Sequence, residues 1–175
     1  IMNEIEYYFE PVEGIDKGGR LVVKGPNIML GYLLHNEPGL LKPPSSSRGL
    51  GWHDTGDIAD IDQEGFITIL GRAKRFAKIG GEMVSLTAVE ELAVLAWPEQ
   101  KHACVSITDQ NQRERIILIT ENKKANLKEL QDVAAKNHIS SFNIPKKIET
   151  KIDIPVLATG KIDYMSLKKL VSETE

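Results

Sequence analysis

Three short groups of polar residues in this chain have the types and spacing to bind a phosphorylated ligand. Segment 51–57 ends in carboxylates flanked by glycine, and a carboxylate can accept two hydrogen bonds from a vicinal diol such as a ribose. Arg72 follows Gly71 after an apolar run, and its planar donor fork suits ribose or phosphate oxygens. Lys161 follows Gly160 in a loop, where a mobile point charge could neutralise a phosphate and a carboxylate together. Taken alone, each is more often a polar turn, a surface arginine or a solvated loop lysine.

A basic cluster precedes the glycine pair at 80–81. It places four cations within seven residues, Arg72, Lys74, Arg75 and Lys78. Charge clusters are most often solvated structural faces. Here, however, the sign of the charge changes at Gly71: residues 1–70 carry a net −6 and residues 71–175 a net +3. This asymmetry indicates two units and an acidic partner for the second, and it is too weak for a nucleic-acid-binding protein.

The composition limits the classes of protein to which this chain can belong. The chain has 175 residues, is 41% hydrophobic and 27% charged, and is long enough for one domain or two small ones. No apolar run approaches the roughly 20 residues of a membrane span, so we expect a soluble fragment. Cys104 is the only cysteine, which excludes an internal disulfide and favours a reducing compartment and a small buried side chain over a catalytic thiol. The four histidines lack metal-ligand spacing, so we predict no metal site.

Residues 1–71 are predicted to form a small antiparallel β unit. Alternating and β-branched runs between turn residues predict its strands, which are Ile5–Glu10, Arg20–Lys24, Ile58–Ile61 and Phe66–Leu70. Segment 62–65 is a hairpin connection with a glycine available for positive φ. Segment 36–51 is rich in Pro, Gly and Ser and predicts a loop without a core.

Residues 72–175 are predicted to form a small α+β domain, in which a hairpin and a three-stranded sheet are packed by helices. The hairpin runs from Ala73 to Ile79 and turns at the glycine pair. The predicted strands are His102–Ile107, Arg115–Thr120 and Lys147–Ile152. The second strand is continuously apolar over 116–119, which indicates a central position covered on both faces.

Three helices follow from caps and spacing in this second unit. Segment 87–90 fits a capping box, with Ser85 as the competing cap, and segment 126–129 fits another. Asp163 can cap the last helix. The predicted buried faces are Leu86, Val89, Leu92, Ala93 and Ala96, then Leu127, Leu130, Val133 and Ala134, then Leu167, Leu170 and Val171.

In this order and spacing, the motifs resemble the adenylate-forming superfamily of acyl-CoA synthetases, peptide-synthetase adenylation domains and luciferases. The resemblance spans essentially the whole chain. Its matching segments are Gly31-Tyr32, Asp54-Thr55-Gly56-Asp57, Gly71-Arg72, Lys78-Ile79-Gly80-Gly81-Glu82 and Thr159-Gly160-Lys161. The amino-acid sequence of segments 24–29, 51–58 and 71–86 is more similar still to one group in this superfamily. That group is the synthetase half of bacterial acyl–acyl carrier protein synthetases fused to a 2-acylglycerophosphoethanolamine acyltransferase.

The resemblance implies a first half-reaction in which a fatty acid attacks the α-phosphate of ATP. The superfamily's ribose-binding aspartate falls on Asp57, its conserved arginine on Arg72 and its adenylation lysine on Lys161. In these enzymes Mg²⁺ neutralises the leaving pyrophosphate. The resemblance also implies that ATP and Mg²⁺ are bound mainly upstream of residue 1. We therefore expect this chain to be the last β subdomain of a large domain plus the small C-terminal domain, inactive by itself.

The resemblance also implies a second half-reaction on a pantetheine thiol. The hinge position falls on Lys74, and the glycine turn lining the pantetheine tunnel falls on Gly80 and Gly81. From charge alone, Lys74, Arg75 and Lys78 are predicted to receive acidic acyl carrier protein.

Two alternatives remain open at this point. One is an acyl-CoA synthetase that uses CoA as acceptor, and the other is a non-catalytic carrier-binding module that kept the fold. For the favoured acyl–acyl carrier protein synthetase, we expect the full protein on the cytoplasmic side of the bacterial inner membrane. The chain contains no HxxxxD acyltransferase motif and no P-loop.

Overall fold

The computed structural model describes residues 4–150 and 152–174. The chain divides into two compact units, residues 1–74 and residues 75–175. The sequence placed the boundary between 71 and 72. Assignment of the two units to the domains of a larger enzyme stays a prediction.

The first unit is built on a four-stranded antiparallel sheet. Its strands, in chain order, are β1 (Glu6–Glu10), β2 (Gly19–Lys24), β3 (Tyr32–Leu33), β4 (Leu41–Lys42), β5 (Ser45–Ser46), β6 (Gly49–Leu50), β7 (His53–Ile61) and β8 (Ile67–Arg72). The main sheet has the order β1-β2-β7-β8, while β3 pairs with β4 and β5 with β6. Val22, Ile58 and Ala59 on the two central strands are almost fully buried. The prediction of an antiparallel β unit is confirmed.

Two local predictions in this unit are corrected. Segment 36–51 is not only loop, because β5 and β6 pair within it and β4 pairs with β3 just before it. Strand β7 begins at His53 rather than Ile58, so the polar motif lies inside a strand. The turn after β7 is as predicted: Asp62 accepts hydrogen bonds from the amides of Glu64 and Phe66, and Gly65 has a φ of 88°.

The second unit is the predicted α+β domain. After the 3₁₀ turn Ala73–Arg75, its elements are β9 (Phe76–Ile79), β10 (Glu82–Ser85), α1 (Leu86–Ala96), β11 (His102–Thr108), β12 (Glu114–Thr120), α2 (Leu127–Lys136), the 3₁₀ turn Ser141–Asn143, β13 (Lys147–Glu149) and α3 (Tyr164–Thr174). β9 and β10 form a hairpin. In the sheet β11-β12-β13, the central strand is antiparallel to β11 and parallel to β13. β13 ends at Glu149, short of the predicted Ile152.

Strand β12 organises the core of this unit. Ile117 packs with Leu167 of α3 on one face. Leu118 packs with Leu92 of α1 and Leu130 of α2 on the other. The continuous apolar run therefore marks a strand covered on both faces, as predicted.

Ser85, not Thr87, caps helix α1. The Ser85 hydroxyl accepts a hydrogen bond from the Ala88 amide at 3.3 Å, and the helix begins at Leu86. Thr87 is exposed inside the first turn. The capping-box interpretation was therefore wrong, and the competing cap is the one used.

The other two caps form as predicted. Asn126 accepts a hydrogen bond from the Glu129 amide at 2.9 Å, and Asp163 accepts from the Ser166 amide at 3.1 Å. On α3, however, Leu170 is 42% exposed, although it was predicted to face inward. In the described residues no helix has the length and apolar character needed to cross a bilayer.

Candidate functional site

Asp57 and Arg72 lie opposite each other on β7 and β8. The Arg72 Nε is 3.0 Å from Asp57 Oδ1, and Arg72 Nη1 donates to the carbonyl of Thr55 at 2.8 Å. The Asp57 side chain is 18% exposed and that of Arg72 is 66% exposed. The two residues predicted to contact the nucleotide are thus neighbours, and the arginine holds and neutralises a partly buried carboxylate at the edge of the sheet.

The backbone before Asp57 is shaped by Thr55 and Gly56. Thr55 Oγ1 donates to the carbonyl of Leu21 at 2.9 Å and accepts from the Asp57 amide at 3.1 Å. Gly56 has a φ of 72°, a backbone conformation that residues with a side chain rarely adopt. The space around it, by contrast, would admit a Cβ. Glycine is therefore required here for its backbone angle, which sets the direction in which the next residue leaves the strand.

Asp54, the other carboxylate of the motif, is held by Arg20. Arg20 donates from Nε to Asp54 Oδ1 at 2.9 Å and from Nη2 to Oδ2. The Gly56 amide also donates to Asp54 Oδ1 at 2.9 Å. The hydrogen bond from Arg20 keeps the pKa of Asp54 below its usual range. Of the two carboxylates, Asp54 is committed to the sheet, which leaves Asp57 as the candidate for binding a diol.

Lys161 ends a tight loop that precedes helix α3. Leu157 donates to the carbonyl of Lys161 at 2.7 Å, and Gly160, with a φ of 80°, donates to the carbonyl of Leu157 at 2.8 Å. Val156 and Ile162 form an antiparallel bridge that closes the loop. The Lys161 side chain is exposed, and among the described contacts its amine makes no hydrogen bond or ion pair. The lysine is therefore presented on a held backbone with its charge in solvent.

Gly80 and Gly81 form the two-residue turn between β9 and β10. Their φ values are 61° and 97°, as the tight turns that match strand twist require. A groove of about 780 Å³ adjoins the turn. Its charged lining residues are Lys78, Asp109, Arg113, Glu114, Arg115 and Lys146. Four cations against two carboxylates give this groove a positive balance beside the predicted thiol path.

Arg75 does not lie on an open basic surface, contrary to the expectation from the sequence. Its side chain is 16% exposed, its Nη2 is 2.7 Å from Glu90 Oε1, and its Nη1 donates to the carbonyl of Cys104 at 2.8 Å. Its guanidinium also lies 3.8 Å from the ring centroid of Tyr164. Lys74 next to it is exposed, so of the three cations predicted to receive carrier protein, Lys74 and Lys78 remain accessible.

From the sequence we predicted no functional role for Glu90 or Tyr164. Glu90 accepts hydrogen bonds from the Cys104 amide at 2.7 Å and from the Tyr164 hydroxyl at 3.0 Å. One signal was available: Glu90 follows Leu86 by four residues and precedes Ala93 by three, so it lies on the inward face of α1. An acidic residue on an apolar helix face implies a buried partner, although the sequence does not say which one.

No metal centre is found in residues 4–150 and 152–174, where no group of three or more His, Cys, Asp or Glu could hold an ion. The donor set of this part of the chain therefore does not fit a resident Mg²⁺.

No protein-family model matches the chain. It is 33% identical over 151 residues to a 2-succinylbenzoate–CoA ligase of Staphylococcus epidermidis, covering 86% of this chain and 31% of the relative. It is 30% identical over 156 residues to a medium-chain fatty-acid–CoA ligase of Escherichia coli, covering 86% and 27%. The chain thus spans about a third of the length of the curated relatives it matches.

Solved structures show the same relationship. The O-succinylbenzoate CoA synthetase of Bacillus subtilis in complex with ATP and magnesium ion is 26% identical, with a TM-score of 0.68, over 95% of this chain and 34% of that one. The ATP-bound MatB of Rhodopseudomonas palustris shares the fold with a TM-score of 0.70 at 22% identity, over 97% of this chain and 34% of that one. On these similarities, the chain belongs to the adenylate-forming superfamily, to whose acyl- and aryl-CoA ligases it corresponds over their C-terminal part.

Proposed function

We propose that this chain is the C-terminal part of an ATP-dependent ligase that activates a fatty acid as an acyl-adenylate and transfers it to a phosphopantetheine thiol. The observation that carries the proposal is Lys161, an exposed amine on a tightly held loop that makes no ion pair with any of the described residues. A lysine that must reach a nucleotide bound by another part of the enzyme needs this presentation. The Asp57–Arg72 pair supports the proposal. At one edge of the sheet it places a carboxylate that can accept hydrogen bonds from a diol next to a guanidinium that can donate hydrogen bonds to a phosphate.

Each residue then has a defined electrostatic task. The Lys161 ammonium would lie between the substrate carboxylate and the α-phosphate and offset their repulsion as they approach. A positioned charge of this kind in a water-excluded site contributes roughly 3–4 kcal/mol to transition-state stabilisation. Asp57 would accept the ribose hydroxyls while Arg72 donates to ribose or phosphate oxygens. Mg²⁺ would supply neutralisation of the pyrophosphate, bound with the nucleotide by residues outside this chain.

The two half-reactions require two arrangements of the same molecule. Lys161 must be near the α-phosphate in the first, whereas the turn at Gly80 and Gly81 must guide a thiol in the second. We assign the change to rotation at Lys74, which is exposed in the short 3₁₀ turn Ala73–Arg75, a turn that contains no buried residue.

The experiment that tests adenylation is Lys161→Ala in the full-length protein. Pyrophosphate exchange dependent on fatty acid should fall by more than about 100-fold, the scale of a lost transition-state charge contact. Thioester formation from preformed acyl-adenylate should persist, because that step does not use the lysine. Lys123→Ala, a change at an exposed loop lysine, is the matched control. Unchanged exchange in Lys161→Ala would instead favour the non-catalytic carrier-binding module.

The proposed acceptor is acyl carrier protein, which would dock through Lys74 and Lys78. The support is charge: Lys74 and Lys78 are exposed, and the neighbouring groove is positive. Lys74→Glu and Lys78→Glu should lower transfer to carrier protein, and added salt should weaken the wild-type reaction in the same way. Transfer that ignores both would count against this docking surface.

CoA is the second candidate acceptor, favoured by the CoA ligases among the relatives. Rates of the full protein with CoA and with carrier protein, at equal thiol concentration, decide between the two. Fusion to a lysophospholipid acyltransferase and location at the inner membrane remain predictions from the sequence resemblance. Acyl transfer to a lysophospholipid by membranes containing the full protein tests both.

A further inference from the structure

Glu90 gathers donors from three separate elements of the second unit. Its carboxylate accepts from Arg75 Nη2 at 2.7 Å and from the Cys104 amide at 2.7 Å. The hydroxyl of Tyr164 lies 3.0 Å from one carboxylate oxygen and 3.3 Å from the other. The Glu90 side chain is only 15% exposed. A charge this far from water is retained only when it is paired and hydrogen-bonded, so these contacts are tightly interdependent.

Arg75 and Tyr164 also contact each other directly. The guanidinium lies 3.8 Å from the centroid of the tyrosine ring, a distance at which a cation and an aromatic face attract. Burial, together with the charge of Glu90, raises the pKa of Tyr164 to about 12, so the phenol stays protonated and donates. Arg75, Glu90 and Tyr164 therefore form a closed triangle in which each member touches the other two.

The triangle joins two points that the proposed reaction uses. Arg75 directly follows Lys74, the predicted hinge. Tyr164 is the first residue of α3 and lies three residues after Lys161. Only the loop closure at Ile162 and the helix cap at Asp163 lie between the lysine and the ring. A displacement of Tyr164 is thus passed along a short, hydrogen-bonded backbone to the lysine loop.

We propose that Arg75, Glu90 and Tyr164 are positioning residues that fix the Lys161 loop to the strand following the hinge, so that the two move as one piece. The inference rests on the proposed role of Lys161 in adenylation. None of the three residues need touch a substrate, since they act by holding the loop that presents the lysine.

The first test measures the loop without any activity. Two amides report on it, Leu157 and Gly160, whose hydrogen bonds lie within the loop. In Tyr164→Phe the ring remains and the hydroxyl contacts to Glu90 are lost, and we expect these amides to exchange with solvent about tenfold faster. Amides of β12 should not change. Tyr7→Phe, the same chemical change at an exposed tyrosine of the first unit, is the control.

The second test measures the half-reactions in the full-length protein. Tyr164→Phe should lower kcat for pyrophosphate exchange about tenfold, leave the KM for ATP within about twofold, and leave thioester formation from preformed adenylate unchanged. A general loss of stability would lower both half-reactions alike. Arg75→Lys keeps the charge and loses the ring contact and one hydrogen bond, and should reproduce the pattern more weakly.

The two tests separate this inference from the proposed function. Unchanged exchange at Leu157 and Gly160 in Tyr164→Phe overturns the positioning role, whatever Lys161→Ala does. If the loop amides exchange hydrogen faster in Tyr164→Phe but adenylation is normal, while Lys161→Ala is inactive, the positioning role is also overturned and the proposed function stands. If Lys161→Ala itself adenylates normally, the proposed function fails, and the catalytic part of this inference fails with it.

Discussion

At the scale of single residues, Asp54 and Asp57 show how position on one strand divides two tasks. Both are near an arginine, but Asp54 receives two hydrogen bonds from Arg20, whereas Asp57 meets the largely exposed Arg72 at one oxygen. The first pair joins the two central strands β2 and β7, whereas the second joins β7 to the edge strand β8. Stability should therefore depend on Asp54, and ligand binding on Asp57.

Asp54→Asn tests the stabilising role. Because Arg20 lowers the pKa of Asp54 in the folded state, the stabilisation is present above the unfolded pKa of about 3.9 and is lost as pH falls through the folded pKa. We expect the variant to lose about 1 kcal/mol of unfolding free energy at pH 7, a modest value because the pair is partly exposed. The difference should shrink towards zero near pH 2. Urea unfolding at both pH values measures it.

The control for this change is Asp16→Asn, at an exposed carboxylate, which should leave the free energy of unfolding nearly unchanged. A difference between wild type and Asp54→Asn that stayed constant from pH 7 to pH 2 would contradict the ion-pair explanation.

At the scale of elements, the β9–β10 hairpin feeds directly into α1 through Ser85. This residue pairs with Phe76 at the end of the hairpin and caps the helix with its hydroxyl. The strand therefore ends where the helix begins, and no separate connecting loop is needed. This continuity brings Glu90, one turn further on, under the start of the hairpin.

Removal of the cap should be measurable. Ser85→Ala should lower the free energy of unfolding by about 1 kcal/mol, because the Ala88 amide loses its side-chain acceptor. Thr87→Ala, two residues on, should change it by less than about 0.5 kcal/mol, since this threonine is exposed and alanine favours a helix. Equal effects in thermal or urea unfolding would show that the assignment of the cap is mistaken.

Sequence patterns predicted the elements better than the contacts between them. Alternation and apolar runs predicted β2 and β12, because burial of a strand on one or both faces determines which of its consecutive residues are apolar. The choice of Ser85 over Thr87 depended on where β10 ends, which local pattern does not fix. Arg75 looked solvated because its hydrogen-bond partners Glu90 and Cys104 are 15 and 29 residues away, beyond any local pattern. Lys161 was singled out as a loop charge, but its role in adenylation came only from the resemblance to a family motif, since a lone loop lysine is most often solvated.

At the scale of the whole molecule, the two units differ in how much core they contain. The second has three clusters of buried side chains, arranged around β12, α1 and α3. In the described part of the first unit the fully apolar interior is small, and several large apolar side chains are exposed, among them Leu30, Leu33, Leu50, Phe66 and Ile69. The second unit is therefore the better candidate for independent folding.

We expect a fragment of residues 75–175 to unfold cooperatively in urea by itself. Trp97, which is 5% exposed, is the only tryptophan in that fragment and reports the transition by its fluorescence. A fragment of residues 1–74, followed through Trp52, should unfold at a lower urea concentration and with a shallower slope, since it buries less apolar surface. A non-cooperative transition in the longer fragment would contradict this assignment.

Cys104 has a practical consequence for spectroscopy. It is fully buried beneath Glu90, and burial raises its pKa far above the usual range, so the reactive thiolate is scarce. Cys104 should therefore react very little with maleimide dyes, and it need not be replaced before labelling. A cysteine introduced at exposed Thr159 would carry a single fluorophore next to Lys161 and leave the amine in place. Motion of the lysine loop could then be recorded in real time in an otherwise native molecule.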